Sequence, residues 1–249
     1  MLAIIGGSGF TQLSNLAVSR RQVVRTPYGE PSGALTFGKI AGHDVVFLAR
    51  HGYGHTLPPH QVNYRANIWA LHAQGVKNVV AIAAVGGIRT DFQPGMLALP
   101  DQIIDYTHGR ADTFFTLADR GGVRHIDFTL PYCQTMREAC LKAAQQAGEK
   151  IINGGVYAAT QGPRLETAAE INRLERDGAD MVGMTGMPEA ALAREIGLGY
   201  ATIAIVVNYA AGRGGSRQGI DMNGIASVLQ QAMGRVQSIL EKLVAFDGG

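Results

Sequence analysis

Apolar residues gather into short continuous runs along the chain, and most of these runs end at glycine or at a polar residue. The first run, Leu2–Ile5, leads into Gly6-Gly7-Ser8-Gly9, a pattern typical of a buried strand followed by a tight turn. Six more runs predict further strands, and the first two should pair as an antiparallel hairpin across Ala41-Gly42-His43. They are Ala34–Ile40, Asp44–Ala49, Asn78–Val85, Met96–Ile104, Val156–Thr160 and Tyr200–Val207.

Between these runs, apolar residues recur every three or four positions, which predicts amphipathic helices. In Pro131–Ala147, for example, Met136, Cys140 and Ala143 share one face, and Gly148 follows as a helix-ending glycine. The alternation predicts an α/β fold in a single domain, residues 1–249, with a mostly parallel mixed central β-sheet flanked by helices. The other predicted helices are Val62–Gln74, Glu166–Arg176, Pro188–Ile196 and Asn223–Val244.

The charge balance argues against a nucleic-acid partner. The chain has 22 Lys and Arg against 20 Asp and Glu, and only 17% of its residues are charged. No run approaches the ~20 apolar residues of a membrane span, and no basic segment precedes the first apolar run, so we expect a soluble, cytoplasmic protein.

Cys133 and Cys140 should lie on one helix face about 10 Å apart, which is too far for a disulfide, so we expect reduced core cysteines.

The glycine-rich turn after the first strand resembles a dinucleotide-binding loop but does not complete its pattern. Gln12 stands where the third glycine of the GxGxxG motif belongs, and no GxxxxGK[ST] motif occurs in the chain. A nicotinamide or ATP site is therefore disfavoured. Two interpretations remain: a cradle for a bare anion, with the Ser8 hydroxyl as an added donor, or a tight turn of structural use only.

Arg50 and His51 follow an apolar run that should be buried. Placing two such groups at the end of a core strand is costly unless an anion compensates them, and phosphate would fit. The alternative is that Arg50 forms an ordinary surface ion pair.

His51, His55 and His60 lack the spacing of a metal site, so no metal is expected. The loop Gly52–Pro59 should instead form a rim over the site.

Two polar side chains near strand ends can recognise a heterocycle. Asn208 offers a donor and an acceptor together, whereas the Glu166 carboxylate only accepts. A 6-oxopurine presents N7 and O6 on one edge and N1–H and N2–H on the other, so Asn208 and Glu166 match its two edges. Adenine would prefer a carboxylate in place of Asn208. Glu166 could equally be an acid in a first helical turn. The small side chains of Ala83 and Ala84 would let a ligand reach the backbone N–H groups there. The alternative is that these small residues allow a helix to pack closely across the strand.

Over nearly its whole length the chain resembles the trimeric purine nucleoside phosphorylases and methylthioadenosine phosphorylases. The resemblance is specific only when its motifs are taken together. These are Ile4–Gly9, Arg50-His51-Gly52, Val62–Leu71, Gly162-Pro163-Arg164, Gly178-Ala179-Asp180, Met184–Glu189 and Asn208-Tyr209.

The resemblance implies phosphorolysis, in which phosphate attacks C1′ of a purine nucleoside and releases the base. It implies Asn208 and His51 as the catalytic residues, Asn208 stabilising the leaving base, and it places Met184 against the ribose. Inorganic phosphate would be a co-substrate, with no metal or organic cofactor. The residues implied to hold phosphate are Ser8, Arg50, His51, Ala83, Ala84 and Thr185.

Differences between the family's branches indicate the base. The adenine-using branch has Asp at the positions of Asn208 and Ala210 and Ser at that of Glu166, so this chain resembles the 6-oxopurine branch there. Leu165 stands where the family places an aromatic residue against the base.

The 5′ side resembles the methylthioadenosine branch, notably in Gly122–Ile126. There His125 would reach the 5′-substituent of a neighbouring subunit's substrate, and Ile220 would face the methylthio group, which implies a homotrimer. The combination predicts phosphorolysis of S-methyl-5′-thioinosine to hypoxanthine and 5-methylthioribose 1-phosphate. The alternatives are an inosine/guanosine phosphorylase, a methylthioadenosine phosphorylase, a non-catalytic nucleoside- or anion-binding protein and, more remotely, an oxidoreductase.

Overall fold

Residues 1–115 and 125–246 are described by the structure, a computed structural model. Its strands are β1 (Leu2–Gly6), β2 (Ala17–Gln22), β3 (Leu35–Ile40), β4 (His43–Ala49), β5 (Asn78–Gly87), β6 (Leu97–Leu99), β7 (Gln102–Asp105), β8 (Ile151–Asn153), β9 (Val156–Ala159), β10 (Met181–Gly183) and β11 (Gly199–Tyr209). Its helices are α1 (Tyr64–Ala73), α2 (Gln134–Gln146), α3 (Ala168–Arg176), α4 (Glu189–Glu195) and α5 (Met222–Leu243).

All eleven described strands join one mixed sheet, in the order β2-β3-β4-β1-β5-β10-β9-β7, with β11 beside β5 and β6, and β8 beside β6. Within the described part of the chain, six pairings are parallel and four antiparallel. The mostly parallel mixed sheet is thereby confirmed, as is the β3–β4 hairpin.

Helices cover both faces of this sheet. Alternate residues of β1 point to opposite faces, so Ala3 and Ile5 pack in the cluster that contains α1 and α4, whereas Leu2 and Ile4 pack in the cluster that contains α2 and α5. Burial on both faces explains why the β1 sequence is apolar throughout. No helix among the residues that the structure describes has the length and apolar character needed to cross a membrane.

The strand β5 has an opening along one edge. The whole length of β5 pairs with β11 on one side, while on the other side β1 pairs with Asn78–Ala81 and β10 only with Gly86 and Gly87. None of the described strands therefore lies beside the intervening residues, Ile82–Val85, on that edge. Because parallel sheets bind ligands at such interruptions near the carboxyl ends of strands, the topology itself marks the place for a site.

Several predicted strand boundaries were wrong. The predicted strand Met96–Ile104 is two strands that break at Pro100-Asp101, and β6 and β7 pair with different neighbours. Proline cannot donate a ladder hydrogen bond, which accounts for the break. Conversely, β5 continues through Gly86 and Gly87, and β11 continues through Asn208, although both were predicted to end earlier.

Sequence patterns missed β2, β8 and β10. The exposed edge strand β2 carries mostly polar residues, and β8 and β10 have only three residues each, too few for a period to show. All five predicted helices are present, although Pro188 caps α4 instead of starting its first turn. Gly148 has the positive φ of +70° that a helix-ending glycine adopts.

The two cysteines are free, as predicted, but they occupy different environments. Cys140 lies in the core within α2, whereas Cys133 is the partly buried residue that precedes the helix. Burial raises the pKa of the Cys140 thiol to about 12, so this group stays protonated and inert at neutral pH.

Candidate active site

A cavity of about 460 Å³ lies at the open edge of β5. Segments that follow β1, β4, β9, β10 and β11 converge on it, together with the later part of β5 and the start of α5. The residues that line it fall into three chemical groups: polar and charged groups suited to an anion, a pair of hydrogen-bonding side chains, and a set of apolar side chains.

The turn after β1 brings backbone close to the edge of β5. A Cβ on Gly7 would lie 2.5 Å from the carbonyl oxygen of Ile82 and 3.0 Å from Nη1 of Arg50, so only glycine fits there. Beside it, Ser8 places its Oγ 3.0 Å from Nε2 of His55. The backbone groups of a strand alternate between its edges, so the N–H of Ala84 faces the same opening as the carbonyl of Ile82. The turn and the open edge together present polar groups toward the cavity.

Arg50 follows β4 and is almost fully buried. Its Nε and Nη2 donate to the two carboxylate oxygens of Glu189 at 2.7 and 2.8 Å, and its Nη1 donates to the Ile82 carbonyl at 3.0 Å. The Tyr200 hydroxyl donates to the same carboxylate at 2.7 Å. Burial alone would lower the pKa of Arg50, but the charge and hydrogen bonds of Glu189 outweigh it and raise that pKa.

The alternative of a surface ion pair for Arg50 was therefore wrong, because the pair is buried at both ends. The anion that compensates the guanidinium inside the fold is Glu189. A guanidinium has five N–H donors, and three are used by Glu189 and Ile82, which leaves one on each terminal nitrogen for a ligand in the cavity.

His51 is held as a neutral imidazole. Its Nδ1 lies 2.8 Å from the carbonyl oxygen of Leu57, which can only accept, so Nδ1 carries the hydrogen and Nε2 is left as an acceptor. Burial, and secondarily the charge of Arg50, lower the pKa of His51 to about 4. The ring of His55 packs against it at 4.7 Å between centroids. At neutral pH His51 can therefore accept a hydrogen bond from a protonated oxyanion.

Asn208 lies at a bulge where β11 shifts register against β5. A bulge changes the direction of the side chain beside it. The side chain of Asn208 lines the cavity. Its Nδ2 donates to the Tyr209 carbonyl at 2.6 Å, which fixes the amide orientation because that carbonyl can only accept. One N–H of the amide and its Oδ1 remain for a ligand.

Glu166 also lines the cavity, outside the helix that was predicted to contain it. The helix α3 begins at Ala168, and Thr167 and Glu170 form a capping box at its N-terminus. Glu166 precedes this cap, so the alternative that Glu166 is an acid of the first helical turn was wrong. Oε1 of Glu166 accepts a hydrogen bond of 2.6 Å from the Thr160 hydroxyl. The carboxylate is therefore positioned by the end of β9.

The start of α5 contributes an apolar side to the cavity. Met222, Ile225 and Leu229 line it at spacings of three and four residues, which places them on one face of the helix, and Ile220 lines it just before the helix begins. Sequence analysis had included only Ile220 among these four. The other three follow the ordinary pattern of a core-facing helix stripe, which gave no separate signal of a site.

One cavity collects twelve of the thirteen residues proposed for the site from sequence. These are Ser8, Arg50, His51, Ala83, Ala84, Leu165, Glu166, Met184, Thr185, Asn208, Ala210 and Ile220. The remaining residue, His125, is exposed and does not line its own chain's cavity; residues 122–124 of the motif around it lie outside the described part of the chain.

The loop predicted to form a rim does contribute to the cavity, through residues 55–59. The sequence placed His55 in this rim and argued against a metal there, but it did not predict His55 as a partner of Ser8. A histidine in a loop rich in glycine and proline was the available signal. Among the described residues, no group of three His, Cys, Asp or Glu side chains is arranged to hold a metal ion.

The model of the phosphorylase superfamily matches residues 1–245. The chain belongs to this superfamily. A protein of Pseudomonas syringae pv. tomato named "Probable S-methyl-5′-thioinosine phosphorylase" is 52% identical over 243 residues, 98% of each chain. The "6-oxopurine nucleoside phosphorylase" of Pyrococcus furiosus is 47% identical over 220 residues, 87% of this chain and 82% of its own. Among solved structures, methylthioadenosine phosphorylase from Schistosoma mansoni in complex with adenine matches with a TM-score of 0.93 at 32% identity, covering 99% of this chain and 91% of its own.

Proposed function

We propose that this protein catalyses the phosphorolysis of S-methyl-5′-thioinosine. An oxygen of inorganic phosphate, the co-substrate, bonds to C1′ while the bond from C1′ to the base breaks. The electron pair of that bond goes to the purine, which takes up the proton that hydrogen phosphate loses. The products are hypoxanthine and 5-methylthioribose 1-phosphate. The enzyme is thus a pentosyltransferase, and the reaction needs no metal or organic cofactor.

The observation that carries the choice of base is an amide and a carboxylate in one cavity, Asn208 and Glu166. The free N–H of Asn208 can donate to O6 of hypoxanthine, and its Oδ1 can accept from N7 once that atom is protonated. Glu166 can accept from N1–H. Adenine offers an amino donor at position 6 and no hydrogen on N1, so it would leave both protein groups mismatched.

Catalysis follows from where charge develops. The breaking bond leaves negative charge on the purine; the N–H of Asn208 can stabilise that charge at O6, and its Oδ1 can accept from N7 once N7 is protonated. Phosphate would be held by the free N–H groups of Arg50, the Ser8 hydroxyl, Thr185 and the N–H of Ala84. Neutral His51 would accept a hydrogen bond from the protonated oxygen of phosphate through Nε2, and Met184 would pack against the ribose.

Preference for a 5′-methylthio group is supported by the apolar set at the start of α5, namely Ile220, Met222, Ile225 and Leu229. A methylthio group gains from apolar surroundings, whereas a 5′-hydroxyl would lose its hydrogen bonds to water there. The protein of Pseudomonas syringae that is named for the methylthioinosine reaction agrees with this choice. An inosine/guanosine phosphorylase is the second candidate, favoured by the relative in Pyrococcus furiosus and by the same base-recognising pair.

We also propose a homotrimer in which His125 serves a neighbouring subunit's 5′ site. The exposure of His125 away from its own cavity is what such a role requires. Sedimentation of the purified protein tests the oligomeric state. A fully active monomer would contradict the proposed role of His125.

The reaction is tested by incubating the purified protein with S-methyl-5′-thioinosine, with and without phosphate. Hypoxanthine release is followed by chromatography, and the sugar phosphate by phosphorus NMR. The proposal expects base and sugar phosphate in equal amounts, and only when phosphate is present. Binding of nucleoside without turnover would leave a non-catalytic binding protein, and release without phosphate would indicate hydrolysis instead.

A further inference from the structure

One oxygen of the Glu166 carboxylate is already committed inside the protein. The Thr160 hydroxyl lies 2.6 Å from Oε1, a distance typical of a charge-assisted hydrogen bond. Among the hydrogen bonds of the described residues, none reaches Oε2 of Glu166. The nearest basic residue in sequence, Arg164, directs its guanidinium to Glu170 and to the Leu165 carbonyl. Glu166 therefore offers the cavity one fully unused oxygen.

Thr160 is well fixed for this purpose, because it directly follows β9 and its backbone N–H donates to the Gly183 carbonyl at 2.8 Å. Its Oγ1 lies 3.2 Å from that same carbonyl. A hydroxyl has a single hydrogen, and the shorter contact to a charged acceptor is the stronger one. The sheet thus directs the hydroxyl hydrogen to Glu166 and holds the carboxylate in one orientation.

Hypoxanthine and guanine, both 6-oxopurines, differ at the edge that Glu166 can contact. Hypoxanthine presents one donor there, N1–H, and a carbon-bound hydrogen at position 2. Guanine presents two donors, N1–H and the 2-amino group, which suit a carboxylate with both oxygens unoccupied. In Glu166, Oε2 can take one donor unshared, whereas a second donor would have to share Oε1 with the threonine hydroxyl, which weakens that contact.

We propose that Thr160 is a specificity-determining residue, which makes the cavity favour 6-oxopurine nucleosides without a 2-amino group over guanine nucleosides. This inference rests on the proposed function. Thr160 acts through Glu166: its hydroxyl donates to Oε1, which hypoxanthine does not need as an acceptor, and a 2-amino group of guanine would have to share that oxygen.

The test compares Thr160→Val, which keeps the shape but removes the hydroxyl, with Thr160→Ser, which keeps the hydroxyl. For each variant, kcat/KM is measured with S-methyl-5′-thioinosine and with S-methyl-5′-thioguanosine in the presence of phosphate. We expect Thr160→Val to raise the guanine-to-hypoxanthine ratio about tenfold, the effect of one hydrogen bond to a charged group, and Thr160→Ser to leave it within about twofold.

A purely structural role for Thr160 predicts a different result, namely equal losses with both substrates and an unchanged ratio, which would overturn the inference. Calorimetric binding of free hypoxanthine and guanine gives the same comparison without turnover. Should Thr160→Val fail to fold, Thr160→Ala removes the same hydroxyl with less bulk and carries the same expectation. Wild-type protein that converts neither nucleoside would instead refute the proposed function itself, and this inference with it.

Discussion

The amide of Asn208 carries the choice between a 6-oxopurine and adenine. Its backbone contact to Tyr209 fixes the amide orientation, so it cannot simply flip to suit the 6-amino group of adenine. A carboxylate at this position would accept from that amino group and would repel O6 of hypoxanthine. Recognition at this position therefore depends on whether the group at position 6 of the purine donates a hydrogen bond, as in adenine, or accepts one, as in hypoxanthine.

Replacing Asn208 with Asp should accordingly move the enzyme toward adenine. We expect Asn208→Asp to raise the kcat/KM ratio of S-methyl-5′-thioadenosine to S-methyl-5′-thioinosine by about fivefold or more, since a mismatched polar contact costs at least about 1 kcal/mol. Asn208→Ala is the control and should weaken both reactions. Parallel losses in Asn208→Asp and Asn208→Ala would show that this residue does not select the base.

The buried neutral His51 should also make stability depend on pH. Its pKa is lowered from 6.5 to about 4, so the unfolded chain binds more protons between these values, and stability falls as pH drops from 6.5 toward 4. The loss from this group is at most about 3 kcal/mol. Urea unfolding at several pH values should show His51→Gln with a flatter acid slope. The exposed His43 supplies the control, His43→Gln, which should keep the wild-type slope; identical slopes in all three proteins would contradict this account.

At the residue scale, the sequence located the site better than it located the partners within it. Strand-end residues such as Ser8 and Asn208 could be found because the ends of buried strands share one edge of a sheet. Glu189 could not be predicted as the partner of Arg50, since the two are 139 positions apart and no local pattern relates them. The contact between Thr160 and Glu166 likewise depends on side-chain directions that only the fold sets.

At the level of elements, one ion pair connects the end of β4 to the start of α4. Arg50 and Glu189 are both almost wholly buried, so removing one charge leaves the other unpaired in the interior. We expect Glu189→Gln to lower the free energy of unfolding by about 3–5 kcal/mol, measured by urea denaturation.

A matched control for Glu189→Gln is Asp44→Asn, which breaks the exposed pair between Lys39 and Asp44. Exposed pairs contribute about 1 kcal/mol or less, so this variant should unfold almost like wild type. Equal effects of the two substitutions would mean that burial does not determine the strength of the Arg50–Glu189 pair.

The apolar stripe of α5 gives a second prediction at this scale. Ile225→Thr places a hydroxyl in the side of the cavity assigned to the methylthio group and makes the side chain one carbon shorter. We expect kcat/KM for S-methyl-5′-thioinosine to fall about fivefold more than that for inosine, which corresponds to about 1 kcal/mol of lost apolar contact. Val228→Thr, on the same helix but outside the cavity lining, should change neither. Equal losses for the two nucleosides would remove Ile225 from the 5′ pocket.

Elements with strong periodicity were predictable, and short or exposed ones were not. The five helices and the longer buried strands followed from apolar spacing, because burial on one or both faces determines which positions are apolar. The strand β10 has three residues and β2 is exposed, so neither carries such a record. Yet β10 completes the opening beside β5, which is why the shape of the cavity could not be read from sequence alone.

At the scale of the whole molecule, the arrangement of strands explains why so many distant segments share one site. On one edge of β5, the strands β1 and β10 occupy opposite ends and leave Ile82–Val85 open between them. Segments after five strands turn toward this opening. The superfamily match over residues 1–245 means that this architecture, and not a local motif, is what the chain shares with phosphorylases.

The central claim is that one cavity combines recognition of a 6-oxopurine with an apolar 5′ pocket. It is tested most directly by measuring kcat/KM with saturating phosphate for S-methyl-5′-thioinosine, inosine and S-methyl-5′-thioadenosine. The account predicts that S-methyl-5′-thioinosine is the best of the three. If inosine were best, the assignment of the 5′ pocket would be wrong, and if S-methyl-5′-thioadenosine were best, the role given to Asn208 and Glu166 would be contradicted.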